Sequence, residues 1–296
     1  MRRVAAYPEV DVTPKIIVVG AGHLGTYHLQ KMRADGDARL VGVVELDAVK
    51  RAKASTDFDV PGFATLDAVD IPVDGAVIAT TTSTHRALGI AALARGWHVL
   101  IEKPIAATAA DGAALVEAAA ASGRLLQVGH TERFNPAIDA ALRVVDQPGY
   151  IVCERLGRFS GRSTDVDVVL DLMIHDLDIV ATLVHAPLVE VRAIGVPVLT
   201  GAVDMAAARL AFADGTVAQL SAGRASLEPA RKIRLFTRQR YVSIDCATRQ
   251  VKSVRRLPAD PQSPWPQITG EPIDVPEGDA LALQDHDFVR CIIEGR

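Results

Sequence analysis

Three short stretches of this chain carry residue types that could do chemistry. The first is Gly20-Ala21-Gly22-His23-Leu24-Gly25, which follows the apolar run Ile16-Ile17-Val18-Val19, with Glu45 twenty positions beyond Gly25. Between a strand and a helix, Gly20 permits a tight turn, Gly22 keeps side chains away from a pyrophosphate, and Gly25 lets helix and strand approach. The N–H groups of His23, Leu24 and Gly25 then open a helix whose partial positive charge favours phosphate. Glu45, at the tip of the next strand, can accept hydrogen bonds from both hydroxyls of an adenosine ribose. A carboxylate there repels a 2′-phosphate, so the pattern points to NAD rather than NADP.

Glu102-Lys103-Pro104 puts a lysine at a strand's carboxyl end, before a proline that stiffens the loop. It reads either as a solvated loop residue or, beside a nicotinamide, as a donor to a substrate oxygen. Asp171 and His175 are four apart and on an α-helix share a face. A carboxylate there orients the histidine as a general base requires, or the two simply form a pair that stabilises the helix. No third ligand accompanies them, so a metal is not expected.

The elements that position these groups alternate. Strands are expected at 15–19, 40–44, 58–63, 75–80, 98–101 and 125–128, with helices at 47–55, 84–95 and 108–121 between them. This is an α/β Rossmann fold, a doubly wound parallel sheet whose ligands lie at the carboxyl ends of the strands. Gly20, Glu45, Thr80, Lys103 and His130 fall on that edge. A helix over 135–144, a strand over 150–158 and a long helix over 166–183 come next, followed by successive strands between 189 and 257. Asp214-Gly215 marks a hairpin turn between two of them. That is an α+β domain with a largely antiparallel open sheet. Residues 258–277, with six prolines, read as an irregular excursion, and a last helix starts near 281. The division expected is a flexible lead-in at 1–14, a nucleotide-binding domain at 15–130 and a substrate and oligomerisation domain at 131–296.

Composition narrows the class. The chain has 296 residues, 49% of them hydrophobic, and a formal net charge of −4 without long blocks of either sign. That argues against nucleic-acid and membrane-surface binding. Cys153, Cys246 and Cys291 form no C-x-x-C pair and read as small buried hydrophobes. The N-terminus has no apolar signal-like stretch and no run reaches membrane-spanning length, so a reducing cytoplasm is expected.

In order and spacing the three motifs resemble the glucose–fructose oxidoreductase and inositol dehydrogenase (Gfo/Idh/MocA) family, and the likeness runs from Lys15 to the end of the chain. The resemblance implies a nicotinamide-dependent dehydrogenase acting on a secondary hydroxyl of a sugar or cyclitol. It implies Lys103 and His175 as the catalytic pair with Asp171 in the same site. Cofactor contacts are implied for Gly20, Gly22, His23, Leu24, Gly25, Glu45, Thr80, Thr82, His85, Glu102 and Lys103. His85 either touches the cofactor or makes a structural hydrogen bond. The open sheet is implied to build a homodimer or homotetramer. Thr81 stands where the family usually has proline, and the family usually runs past Glu294-Gly295 to a further helix packed on the nucleotide domain.

Two segments narrow the resemblance. Val128-Gly129-His130-Thr131-Glu132-Arg133-Phe134-Asn135-Pro136-Ala137 and the stretch from Val169 to Ile179 are similar to those of the family's UDP-N-acetylglucosamine 3-dehydrogenases. The likeness implies a sugar-nucleotide substrate, a 3-keto product, and a sugar aminotransferase as partner in lipid A biosynthesis. His130, Glu132, Arg133 and Asn135 are then substrate candidates, gripping a sugar or phosphate, or else a salt-bridged junction over Phe134. Arg155, Arg158 and Arg162 are available for a pyrophosphate. Dehydrogenation of a free sugar, inositol or sugar acid, or a silent NAD-binding regulator, stays open.

Overall fold

The computed structural model describes residues 13–159, 166–258, 263 and 265–296. Arg162 and most of the expected lead-in lie outside them. The chain divides into two compact units, one running up to Gly129 and including Leu281–Arg296, the other His130–Ala280.

In the first unit, β1 (Lys15–Val19), β2 (Arg39–Val44), β3 (Gly62–Phe63), β4 (Gly75–Ile78), β5 (His98–Glu102) and β6 (Leu126–Gly129) form a parallel sheet in the order β3-β2-β1-β4-β5-β6. Helices cover both faces, which is why the inner strands are apolar throughout. Ile17, Val19, Ile78 and Ile101 pack with Leu93 of α3 (Thr82–Ala94) and Leu115 of α4 (Ala109–Ser122). On the other face, Ile16, Val18, Val77 and Leu100 meet three helices: α1 (His23–Ala34), α2 (Ala48–Phe58) and α7 (Ala280–Glu294). The strand order turns about β1, so a crevice opens at the carboxyl ends of β1 and β4.

Two expectations need correction here. The third strand is only Gly62–Phe63, because α2 continues to Phe58, which is buried as its last core residue, and Asp59 ends the helix at φ 52°. The last helix, assigned above to the second domain, belongs to the first unit. Its buried stripe of Gln284, Asp285, Phe288 and Val289 faces the nucleotide-domain core.

The second unit holds β7 (Tyr150–Leu156), β8 (Leu188–Val196), β9 (Met205–Phe212), β10 (Val217–Gly223), β11 (Ala230–Phe236), β12 (Arg240–Asp245), β13 (Gln250–Arg256) and β14 (Ile268–Glu271). They run β14-β13-β12-β11-β7-β10-β9-β8, antiparallel except for the β7–β10 pair. Gly215, at φ +88°, makes the expected β9–β10 turn. β14 was not foreseen within the proline-rich excursion; it pairs with the end of β13. Alternate residues such as Ile151, Leu220, Ile233 and Val242 join one core with α5 (Pro136–Leu142) and α6 (Ile174–Leu183). The long helix expected over 166–183 is instead a single π turn, Val169–Met173, running into α6. Among the described residues no helix is long and apolar enough to cross a membrane.

Candidate active site

The glycine-rich turn has the shape its sequence requires. Gly20 sits at φ +97° and its N–H donates to Val44 O at 2.8 Å, fixing the turn against β2. A Cβ on Gly25 would overlap Gly20 O, whereas one on Gly22 would meet nothing within 4 Å. The open side of Gly22 is therefore where a pyrophosphate fits. No side chain caps α1, so the first-turn N–H groups of His23, Leu24 and Gly25 point toward that space.

Glu45 closes the adenosine side. Its Oε2 accepts from Ala21 N–H at 2.7 Å and its Oε1 from Asp47 N–H at 3.0 Å, which holds the carboxylate at the tip of β2 with lone pairs left for a ribose. Leu46 beside it is 80% exposed and Val49 79%, an apolar ledge suited to a purine face. Neither was expected, because exposure just past β2 and in the first turn of α2 cannot be read from residue type.

After β4, Thr80 and Thr84 share a hydroxyl hydrogen bond at 2.8 Å, and Thr82 opens α3 half-buried. His85 is buried, its ring nitrogens 2.9 Å from Pro104 O and 3.2 Å from Thr80 O. It clasps the two loops together through these two carbonyls. Lys103 is half-buried at the end of β5 and joined to Pro104 by a cis peptide. Glu102, expected among the cofactor contacts, has its carboxylate engaged within the protein. It is buried against Gly129, accepting from His28 and from Lys103 N–H at 3.2 Å each.

In the second unit the candidates after β6 are mostly spoken for. Arg155, buried, reaches Asp176 through Nε (3.1 Å) and Nη2 (2.8 Å), and Glu132 through Nη1 (2.9 Å). Asn135 caps α5 by accepting from Ala137 N–H and donates to Glu132 and Cys246 O. Arg133 makes a two-pronged pair with Asp178, at 2.6 and 2.5 Å. Glu132, Arg133 and Asn135 thus take part in a salt-bridged junction, with Arg155 paired inside it. Arg158 donates to Leu227 O. His130 lies 3.7 Å from Asp178. Asp171 falls in the π turn, where Ile174 N–H reaches back to Val169 O, and His175 follows in α6. The α-helical spacing assumed for that pair does not hold, yet both are half-buried, and such wide turns recur at functional sites. Burial pushes the Cys153 thiol up and that of Cys246 to about 12, as inert core residues behave.

A dinucleotide fold with this turn and acid is an oxidoreductase scaffold, and comparison with known proteins agrees. The Gfo/Idh/MocA pattern of an oxidoreductase family with an NAD-binding Rossmann fold matches residues 14–130, and the Gfo/Idh/MocA C-terminal domain matches 149–242. The chain belongs to this family and is an NAD-dependent oxidoreductase. It is 38% identical over 280 residues to UDP-N-acetylglucosamine 3-dehydrogenase of Acidithiobacillus ferrooxidans, covering 94% of this chain and 88% of that one. A solved structure of that enzyme superposes with a TM-score of 0.88 at 37% identity, over 96% and 90% of the two chains. Inositol 2-dehydrogenase of Acidothermus cellulolyticus is 32% identical over 62% of this chain and 57% of its own.

Proposed function

We propose that this protein oxidises the C3 hydroxyl of UDP-N-acetylglucosamine to the 3-keto sugar. The observation that carries this is a likeness to the Acidithiobacillus enzyme that extends through both units at 38% identity. NAD, when bound, supplies the acceptor for the hydride of the carbinol carbon. His175 takes the hydroxyl proton on a ring nitrogen, while Lys103 Nζ donates a hydrogen bond to the same oxygen and steadies its developing charge. Asp171 positions the imidazole or a substrate hydroxyl. Oxidation needs neutral imidazole, so the forward rate rises with pH. His130 is the substrate candidate we retain from the segment after β6. We further assign the protein to the cytoplasm, to homo-oligomers built on its open sheet, and to lipid A biosynthesis beside an aminotransferase that consumes the ketone.

One observation favours a second reading, oxidation of a free sugar or inositol. Arg155, an arginine expected to meet the pyrophosphate, is buried in ion pairs with Asp176 and Glu132.

The test is NADH formation from NAD and UDP-N-acetylglucosamine, with glutamate and a keto-sugar aminotransferase to pull the equilibrium. Turnover that drops roughly 100- to 1,000-fold in Lys103→Ala, with NAD binding retained, is expected. Turnover only with inositol or a free sugar would overturn the substrate assignment.

A further inference from the structure

His28 is wholly buried in α1, and both its ring nitrogens face carboxylates carried by other elements. Nδ1 lies 2.9 Å from Asp285 Oδ2 of α7, and Nε2 lies 3.2 Å from Glu102 Oε1 of β5. Glu102 spends its second oxygen on Lys103 N–H, at 3.2 Å. The line Asp285–His28–Glu102–Lys103 therefore ends on the backbone of the lysine. Gln284, also buried, adds a side-chain hydrogen bond to Asp285. Gly129 makes room for this arrangement, since a Cβ there would come within 2.5 Å of the Glu102 carboxylate.

We infer that His28 and Asp285 are positioning residues for Lys103, fixing through Glu102 the backbone from which the lysine side chain reaches the substrate oxygen. The inference rests on the reading of Lys103 given above. Chemistry supports the bridge. A neutral imidazole has one N–H and cannot donate to two carboxylates, whereas imidazolium donates to both. Burial alone would lower the His28 pKa, but the bonds from Asp285 and Glu102 outweigh it and lift it to about 9, so the ring is protonated at neutral pH. A charged trio in a core is costly, and apolar residues of like volume would pack there as stably. Its location one residue from Lys103 supplies a reason to keep it. The same trio ties α1, which opens on the phosphate turn, to the lysine loop.

Asp285→Asn is the discriminating variant, because it keeps the volume and removes the charge that secures the imidazolium. Two readouts apply to the full chain. Amide hydrogen exchange of the peptide spanning Lys103 is expected to quicken about tenfold or more, while the β1 amides stay at wild-type rates. Turnover is expected to fall roughly tenfold to a hundredfold with the KM for NAD little changed, as slight misplacement of a reacting group does. On a Lys103→Ala background the same substitution should cost nothing further, since it acts through the lysine. Unchanged exchange at Lys103, or a loss that adds in full to that of Lys103→Ala, would overturn the inference. If Asp285→Asn does not fold, His28→Gln takes both measurements. A Lys103→Ala enzyme as fast as wild type would instead remove the reading beneath this one, and exchange then decides alone whether the bridge holds the loop.

Discussion

At Glu45 one carboxylate does two jobs that sequence separates poorly. The twenty-residue interval points it at a ribose, and its bonds to Ala21 and Asp47 N–H show that it also ties the phosphate turn to the tip of β2. Glu45→Ser should therefore weaken NAD binding and also erode discrimination against NADP, shifting the ratio of kcat/KM values by roughly tenfold or more, the scale of one charge-assisted hydrogen bond. An unaltered ratio would assign the ribose to another residue. Gly22 borders open space, but the need for glycine at 20 and 25 was equally legible, because overlap leaves those positions little choice. Glu102 was not. A strand buried on both faces shows no polar–apolar alternation, so nothing in His98-Val99-Leu100-Ile101-Glu102 told which way the acid points. His28 did leave a signal. Gly25, His28, Leu29 and Met32 form the buried i, i+3, i+4, i+7 stripe of α1, and a histidine in such a stripe requires a partner.

Among elements, α7 is the one whose placement changes the most. Its apolar stripe was visible, but a stripe does not name the surface it packs on, and chain order assigned it to the nearer domain. The π turn was invisible for a similar reason: hydrophobic spacing over 166–183 fits a helix with or without one added residue. The α1–β5–α7 bridge makes a measurable demand on stability. His28 has a folded pKa near 9 against an ordinary 6.5, the effect of burial being outweighed by Asp285 and Glu102. A raised pKa means the folded state holds the proton more tightly. The stabilisation is complete below pH 6.5 and is lost as pH rises through about 9, a change of roughly 3 kcal/mol at most. Denaturant unfolding across that window should show this decline in the wild type and not in His28→Gln. Parallel declines in both would refute it.

For the whole molecule, the unanswered surface is the open face of the second sheet. Pairing of Ile194 with Ala207 and of Val196 with Met205 puts these side chains on the face away from Leu210 and Ala206, which belong to the core. Ile194 is 66% exposed there, close to small residues such as Ala207 and Ser221. Farther along the same face, Phe236 stands between Tyr150 and Tyr241 at ring distances of 5.7 and 5.0 Å. An antiparallel sheet can leave one face to water, and this one sets Ile194 and the aromatic row among ion-paired charges, Glu190 with Arg209 and Glu154 with Arg234. The openness of the sheet was legible in the run of strands without intervening helices, whereas the exposed Ile194 and aromatic row on one face emerge only once register is known. If copies of the chain associate through the β8–β9 part of it, a carboxylate at position 194 must be desolvated against its symmetry mate, which costs more than the contact returns. Light scattering on Ile194→Asp should then give the 31.5 kDa mass of a single chain where the wild type gives a multiple of it, with NAD still bound. A variant that keeps the wild-type mass would move the interface elsewhere.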